Sequence, residues 1–169
     1  MFDSRSPWRI RRIPLEGREV AEWFALRGWT VTDMDATAAH AFIDEAVVAD
    51  VAVRRMWHTG LAVSRGTDTG RAHGSDTLVV HVAGAGTVQI NSQPAQQLAP
   101  NDVLLVPHVS AVSYRSAEPV ARIEIDHGSG HPEAAFFHTH RDLVSVVMIT
   151  SAVNALFAAH DLRGGGGGG

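Results

Sequence analysis

Residues 77–126 read TLVVHVAGAGTVQINSQPAQQLAPNDVLLVPHVSAVSYRSAEPVARIEID, and this stretch decides the fold. It consists of short runs rich in β-branched and apolar residues, separated by clusters of Gly, Pro, Asn and Asp that favour turns. The turn Gly84–Ala85–Gly86 joins two such runs and predicts a hairpin, and Pro100–Asn101–Asp102 predicts a second tight turn. Strands this short, joined without crossover helices, indicate an antiparallel sandwich or small barrel.

Composition limits what the protein does. With 169 residues, 45% hydrophobic, the chain suits one globular domain with a single core. The formal net charge of −4 argues against direct binding of a phosphate backbone, because such binding depends on Lys and Arg. The absence of Cys and Lys excludes disulfides, thiolate catalysis and Schiff-base chemistry. No apolar run reaches the length of a membrane span and no signal peptide is recognisable, so we expect a cytoplasmic protein without a membrane partner.

Two N-terminal segments flank the predicted strands. Residues 1–14 contain four Arg and Trp8, and indicate either a frayed terminus or an arm that places Trp8 over the mouth of a pocket. Glu16 to Arg27 has Val20, Trp23 and Phe24 at helical spacing, which predicts a short amphipathic helix. Three further strands are expected between this helix and the long polar segment 64–75, the last of them Val51–His58.

After residue 140 the hydrophobic period changes to that of a helix. Its apolar seam alternates spacings of three and four and comprises Val146, Ile149, Val153 and Leu156. The opposite side of this helix is also apolar, so two surfaces must cover it. We expect a homodimer contact through the seam, with a helix that lies flat on the sheet as the alternative. Residues 164–169 are all Gly and carry no packing information.

Metal-binding cupins have a similar strand order, and their metal ligands can be sought in this sequence. They carry a His-x-His and a Glu on the first hairpin and a further His on the second. Here the first hairpin offers only His81, and Val112 stands near the position of the last ligand, so we expect no metal and no other cofactor. The segment His138–Thr139–His140 is a second candidate for zinc, but its position after the barrel favours exposed linker histidines.

Several segments together resemble the N-terminal regulatory domain of AraC-type transcription factors. They are Val51–His58, the Gly-rich hairpin of residues 78–89, and residues 98–108, which read LAPNDVLLVPH. The resemblance implies a cupin-like antiparallel β-barrel of the double-stranded β-helix type, which senses a small effector, dimerises through the following helix and acts on DNA through a separate domain. Two departures stand out: Asn101 replaces the usual Gly, and the helix-turn-helix modules are absent from this chain.

We therefore expect a mainly β protein with a short N-terminal helix and a C-terminal apolar helix. Its parts are an arm (1–14), a sensing barrel (15–130), a dimerisation helix (140–161) and a Gly tail (164–169). The predicted partners are a small-molecule effector, a second copy of the chain and, through the missing domain, DNA. The predicted ligand-binding residues are Trp57, His81, His108, Tyr114 and Trp8. The alternative is a stand-alone, metal-free cupin-like isomerase or lyase that uses His and Tyr as acid and base.

Overall fold

A computed structural model describes residues 8–67, 75–128, 137–140 and 143–164. Twelve strands and two helices lie in these ranges, and the strands form two antiparallel sheets. The seven-stranded sheet contains, in spatial order, β1 (Arg9–Glu16), β3 (His40–Val48), β4 (Val51–His58), β11 (Val120–Gly128), β6 (Ser75–Ala83), β9 (Asp102–Val106) and β12 (Phe137–His140). The five-stranded sheet contains β2 (Thr30–Asp33), β5 (Leu61–Arg65), β10 (Val112–Ser116), β7 (Gly86–Ile90) and β8 (Gln96–Leu98).

The N-terminal segment belongs to the sheet. Strand β1 pairs with β3 along its whole length, from Arg9 opposite Val47 to Glu16 opposite His40. Ile13 and Leu15 pack against the core between the sheets, which explains why this strand is held in place. The prediction of a free arm is therefore wrong for residues 9–14, while residues 1–7 lie outside the described ranges.

The Gly-rich turn carries the chain from one sheet to the other. β6 pairs with β11 and β9, whereas β7 pairs with β10 and β8, so the predicted hairpin between them does not exist. Gly84 has φ of +86°, and a Cβ at this position would lie 2.4 Å from the carbonyl oxygen of Pro119. The close approach and the backbone angle together require glycine here. Asn101, with φ of 76°, makes the next change of sheet, as its tolerance of positive φ predicts.

The main hydrophobic core fills the space between the two sheets. Helix α1 (Arg18–Ala25) closes one end of it with Val20, Trp23 and Phe24, all buried as the helical spacing predicts. Met56 of β4 and Tyr114 of β10 reach this core from opposite sheets. The predicted fold class is confirmed: the protein is mainly β, with two facing antiparallel sheets arranged as in cupins.

Helix α2 (Leu143–Gly164) lies on the outer face of the seven-stranded sheet. Its predicted seam packs there against the sheet: Val146 and Val153 are buried, and Ile149 and Leu156 are partly buried in the same cluster. These four side chains thus already have a partner within the chain. The prediction that they form an intermolecular seam is corrected, because the alternative of a helix lying flat on the sheet describes them. In the described part of the chain neither helix is long and apolar enough to cross a membrane.

Candidate ligand-binding cavity

A cavity of about 80 Å³ lies between the two sheets, next to helix α1. Its lining differs between the two walls. The five-stranded sheet contributes mainly apolar groups, namely Val63, Val88, Leu98, Val112 and Tyr114, together with Arg65. The seven-stranded sheet contributes the apolar side chains Val79, Leu104 and Val106 and most of the polar ones, namely Arg54, Thr77, His81, Arg122, Glu124 and Asp126. Trp23, Phe24 and Arg27 close the end that carries α1.

Arg54 is the centre of an ion-pair network on the polar wall. Its Nε donates to Oε2 of Glu45 at 2.8 Å, and its Nη1 donates to Oδ2 of Asp126. Arg27 donates to the same Glu45 oxygen at 3.0 Å, and Thr77 donates to Oδ1 of Asp126 at 2.7 Å. Burial alone would raise the pKa of Glu45, but the hydrogen bonds from Arg54 and Arg27 outweigh it and hold that pKa below its ordinary value.

Arg122 lies further along β11 on the same wall and is only 5% exposed. Its Nε lies 2.9 Å from Oε1 of Glu124 and 3.2 Å from Sδ of Met56. The guanidinium carbon lies 4.7 Å from the centroid of the Tyr114 ring, a cation–π distance. Tyr114 therefore joins the apolar wall to the charged one.

Two buried histidines beside Arg122 are held in the neutral form. Burial, and then the positive charge of Arg122, lower the pKa of His58 to about 3 and also lower the pKa of His81. Nε2 of His81 lies 3.1 Å from the carbonyl oxygen of Gly84. Because a carbonyl oxygen can only accept a hydrogen bond, Nε2 carries the N–H and donates. Nδ1 of His81 is then a buried acceptor, and it has no hydrogen-bond partner among the described residues. An imidazole with a pKa of about 3 is uncharged at neutral pH and lacks the second ring proton that a general acid would donate, so His58 is not suited to general-acid catalysis.

The structure brings two of the five predicted ligand-binding residues to the cavity, His81 and Tyr114. His81 shares its face of β6 with Thr77 and Val79, as the period of two predicts. Trp57, His108 and Trp8 are not in the lining.

Trp57 points away from the cavity because β4 turns its other face inward. Met56 and His58 are buried, whereas Trp57 between them is 42% exposed. Trp8 packs against the cluster under α2, on the outer face of the sheet. This position corrects the expectation that it covers a pocket mouth.

His108 lies after β9, where it interacts with Asp76. Its ring Nδ1 and its backbone N–H both lie near Oδ1 of Asp76, at 3.1 and 3.0 Å. Asp76 is buried, so this contact anchors the loop that follows β9. His108 thus has a structural partner outside the cavity lining.

The charged residues of the cavity were not predicted. In β11, Arg122, Glu124 and Asp126 alternate with Ile123 and Ile125. Alternation of this kind usually places the charged residues in solvent, because one face of the sheet is normally exposed. Here α2 covers the outer face, so the isoleucines pack under the helix and the charged side chains face the interior. The apolar character of α2 was the signal that both faces are covered.

The histidine segment that was considered for zinc is part of the sheet. Phe137–His140 forms β12, which pairs with β9, so this segment is a strand and not the linker we expected. His131 and Glu133, upstream of it, lie outside the described ranges. Within those ranges, no group of three or more His, Asp or Glu side chains is placed to hold a metal ion.

Comparisons with known proteins bear on the fold. No protein-family model and no curated protein sequence matches the chain. Among solved structures, the AraC-like transcriptional activator CuxR is similar with a TM-score of 0.57 and 10% identity, over 70% of this chain and 47% of CuxR. This chain thus matches about half of the length of CuxR.

Two cupin structures show weaker similarity. A cupin-like protein from Thermotoga maritima has a TM-score of 0.42 and 17% identity, over 56% of this chain and 80% of its own. Oxalate decarboxylase from Bacillus subtilis has a TM-score of 0.43 and 13% identity, over 55% of this chain and 26% of its own. At such identities the likeness concerns the fold alone. The likeness with a TM-score of 0.57 places an AraC-like regulator among the structural neighbours of this chain.

Proposed function

We propose that this chain is the effector-sensing domain of an AraC-type transcriptional regulator and that it binds a small molecule inside its barrel. The observation that carries this proposal is the cavity between the sheets, with one apolar wall and one charged wall. Ligand sites typically combine apolar walls with a few polar groups that fix orientation. The combination here follows that pattern.

The buried charges of this wall are weak evidence for a role in stability. Replacing a buried ion pair by apolar residues of similar volume is often neutral or stabilising, because burial removes both charges from water. Arg54, with its two carboxylate partners, and Arg122 lie in the interior all the same. Recognition of a polar ligand explains their position better than packing does.

In this proposal, the bound molecule acts on transcription through a DNA-binding domain outside this chain. The resemblance in sequence to AraC-type regulatory domains and the likeness in fold to about half of CuxR support this division. The formal net charge of −4 also fits a chain that leaves phosphate contacts to another domain. Two helix-turn-helix patterns encoded downstream of Arg163 in the gene would test this part directly.

We also propose a homodimer, now through the outward face of α2, which we define by Val144, Val147 and Met148. These side chains are 70%, 59% and 66% exposed. A two-fold contact buries the same patch on both chains, so one helix face of this kind is complementary to its own copy. A second copy of the chain is therefore the proposed occupant.

A thermal-shift screen with small metabolites tests ligand binding. A ligand at a hundred times its dissociation constant stabilises the domain by about 2.7 kcal/mol. For a chain of this length the melting temperature then rises by roughly 5–10 °C. Val112→Phe, which narrows the cavity, should abolish the response, and Trp57→Ala serves as the control because Trp57 lies outside the lining. A screen without any shift, or a Val112→Phe protein that responds like the parent, would contradict the proposal.

A further inference from the structure

Arg122 has hydrogen-bonding capacity that the described residues do not use. A guanidinium carries five N–H groups, and only that on Nε has partners here, the Glu124 carboxylate and the Met56 sulfur. The two terminal nitrogens of Arg122 make no hydrogen bond to any residue in the described ranges. The Arg122 side chain is 5% exposed and lines the cavity. A molecule bound in the cavity could therefore accept hydrogen bonds from these four N–H groups.

Arg54, by contrast, is already occupied by protein groups. It is held between Glu45 and Asp126. Arg54 uses Nε and Nη1 in the network on the polar wall. The two arginines therefore differ in what they offer to a ligand: Arg54 has one terminal nitrogen bound to a carboxylate, whereas neither terminal nitrogen of Arg122 is bound to a described residue.

Other groups of the cavity lining favour a negatively charged partner. The Tyr114 hydroxyl and Nε1 of Trp23 are buried donors that line the cavity and have no partner in the described part of the chain. The described lining carries four guanidinium groups and two carboxylates, with the Glu45 carboxylate bound to two of those arginines. Flat carboxylates match the two parallel N–H groups at a guanidinium edge.

The cavity also limits the size of the partner. Its volume of about 80 Å³ is several times the roughly 10–15 Å³ that a cavity needs to hold one water molecule, which suits a small molecule. The opposite wall carries valine and leucine side chains beside Tyr114 and Arg65, and its apolar part accepts an apolar body. Short-chain organic acids fit these two conditions.

We propose that the cavity binds a small organic carboxylate whose acid group is held by the terminal N–H groups of Arg122 and whose apolar body contacts the five-stranded sheet. This inference rests on the proposed function, since it names the chemical class of the effector. It makes the acid group the part of the ligand that the protein recognises.

Paired acids and amides test the proposal by titration calorimetry and thermal shift. Acetate, propionate and butyrate are compared with the corresponding amides, at constant ionic strength set with sodium chloride. We expect at least one acid to bind, and to bind at least about tenfold more tightly than its own amide, as loss of a charged hydrogen bond implies. Amides that bind as well as acids would overturn the proposal while leaving ligand sensing intact. If no compound of either series binds, both the proposal and its basis are contradicted.

Three variants distinguish a specific contact of Arg122 with the ligand from a general effect of the protein's charge. Arg122→Gln should weaken the acid at least about tenfold, to the level of its amide. Glu124→Gln should instead strengthen acid binding, because it removes the competing carboxylate from Arg122. Arg115→Gln removes an equal charge from an exposed pair with Asp33 and should bind acids like the parent.

The double variant Arg122→Gln/Glu124→Gln guards against misfolding of the single one. It leaves no unpaired buried carboxylate beside residue 122, and it should still bind acid and amide alike. Circular dichroism and the melting temperature without ligand establish that each variant is folded. Retention of acid preference in a folded Arg122→Gln or double-variant protein would overturn the assignment.

Discussion

Arg55 on β4 donates a hydrogen bond to Oδ1 of Asn154 on α2 at 2.8 Å, and this contact joins the C-terminal helix to the sheet. The guanidinium carbon of Arg55 also lies 5.3 Å from the centroid of the Phe157 ring. Its other donors bind the buried carboxylate of Asp44. The helix is thus fixed by a polar contact at one edge of an apolar interface.

This arrangement predicts unequal effects along α2. Phe157 is 2% exposed, and its replacement by Ala should lower the free energy of unfolding by about 3–5 kcal/mol. Asn154→Ala removes one hydrogen bond at the edge and should cost about 0.5–1.5 kcal/mol. Ser151→Ala, exposed on the same helix, should change stability by less than about 0.5 kcal/mol. Urea denaturation gives all three values, and a mild Phe157→Ala variant would contradict the docking of α2.

The dimer prediction now concerns the outward face of α2. Met148→Glu adds a charge to an exposed position, so it should yield a folded monomer. Val153→Asp places a charge in the buried cluster under the helix, where an unpaired charge commonly costs several kcal/mol, so it should unfold the protein. Sedimentation velocity and circular dichroism distinguish these outcomes. A wild-type protein that is monomeric at tens of micromolar would rule out the dimer.

Gly84 allows a sharp test of the change of sheet. Gly84→Ala forces a side chain into positive φ, which costs roughly 1–3 kcal/mol before any steric clash is counted. The new Cβ would also meet the Pro119 carbonyl oxygen at 2.4 Å, so we expect the loss to exceed that range. Gly66→Ala is the control, since a Cβ there meets nothing within 4 Å. Equal melting temperatures for the two variants would show that the turn is built differently.

Stability should depend on the protonation of His58. Its pKa is about 3 in the folded protein and near 6.5 when unfolded, so the unfolded chain binds more protons between these values. Folding is then favoured fully above pH 6.5 and progressively less as the pH falls toward 3. His58 alone should remove up to about 2 kcal/mol between pH 6.5 and 5.

Variants assign this pH dependence. His58→Gln should flatten the curve between pH 7 and 5, with a remaining slope from His81, whose pKa is lowered in the same direction. His40→Gln, at an exposed position, should keep the slope of the parent. Denaturation midpoints measured at several pH values decide the point. A His58→Gln protein with an undiminished slope would show that His58 does not titrate as described.

Metal content gives an independent check on the enzyme alternative. We expect the purified protein to carry no stoichiometric metal, because Val112 stands where metal-binding cupins have a ligand. The nearest imidazoles, His58 and His81, lie beside the positive charge of Arg122, which also opposes a cation. Elemental analysis after expression with zinc and iron is the measurement. About one metal ion per chain would favour the enzyme.

The sequence predicted the elements well and the faces of the strands less well. Val51–His58 is a strand with the predicted bounds, and α1 buries the predicted side chains. A period of two states that Trp57 and His58 point to opposite sides, but it does not state which side is the interior. Burial of the apolar face usually decides this. It fails in β11 because both faces are covered, one by α2 and one by the second sheet. It fails in β4 because each face carries one arginine among mostly apolar residues.

The sequence also failed to predict which strands pair when they lie far apart in the chain. Gly84 is compatible both with a hairpin turn and with a crossing between sheets, because both can require a residue with positive φ. β6 pairs with β11 and β7 pairs with β10, and both partners lie later in the chain. These pairings replace the hairpin that β6 and β7 would otherwise form. The β-propensity of a short segment does not tell which distant strand it will pair with.

Only one layer, the seven-stranded sheet, separates the cavity from α2. Arg122 faces the cavity, while the next residue, Ile123, packs in the cluster under α2. Met56 contacts Arg122, and its neighbour Arg55 holds Asn154 on the helix. The cavity wall and the surface that holds α2 are therefore separated by a single peptide unit on each of two adjacent strands, β4 and β11.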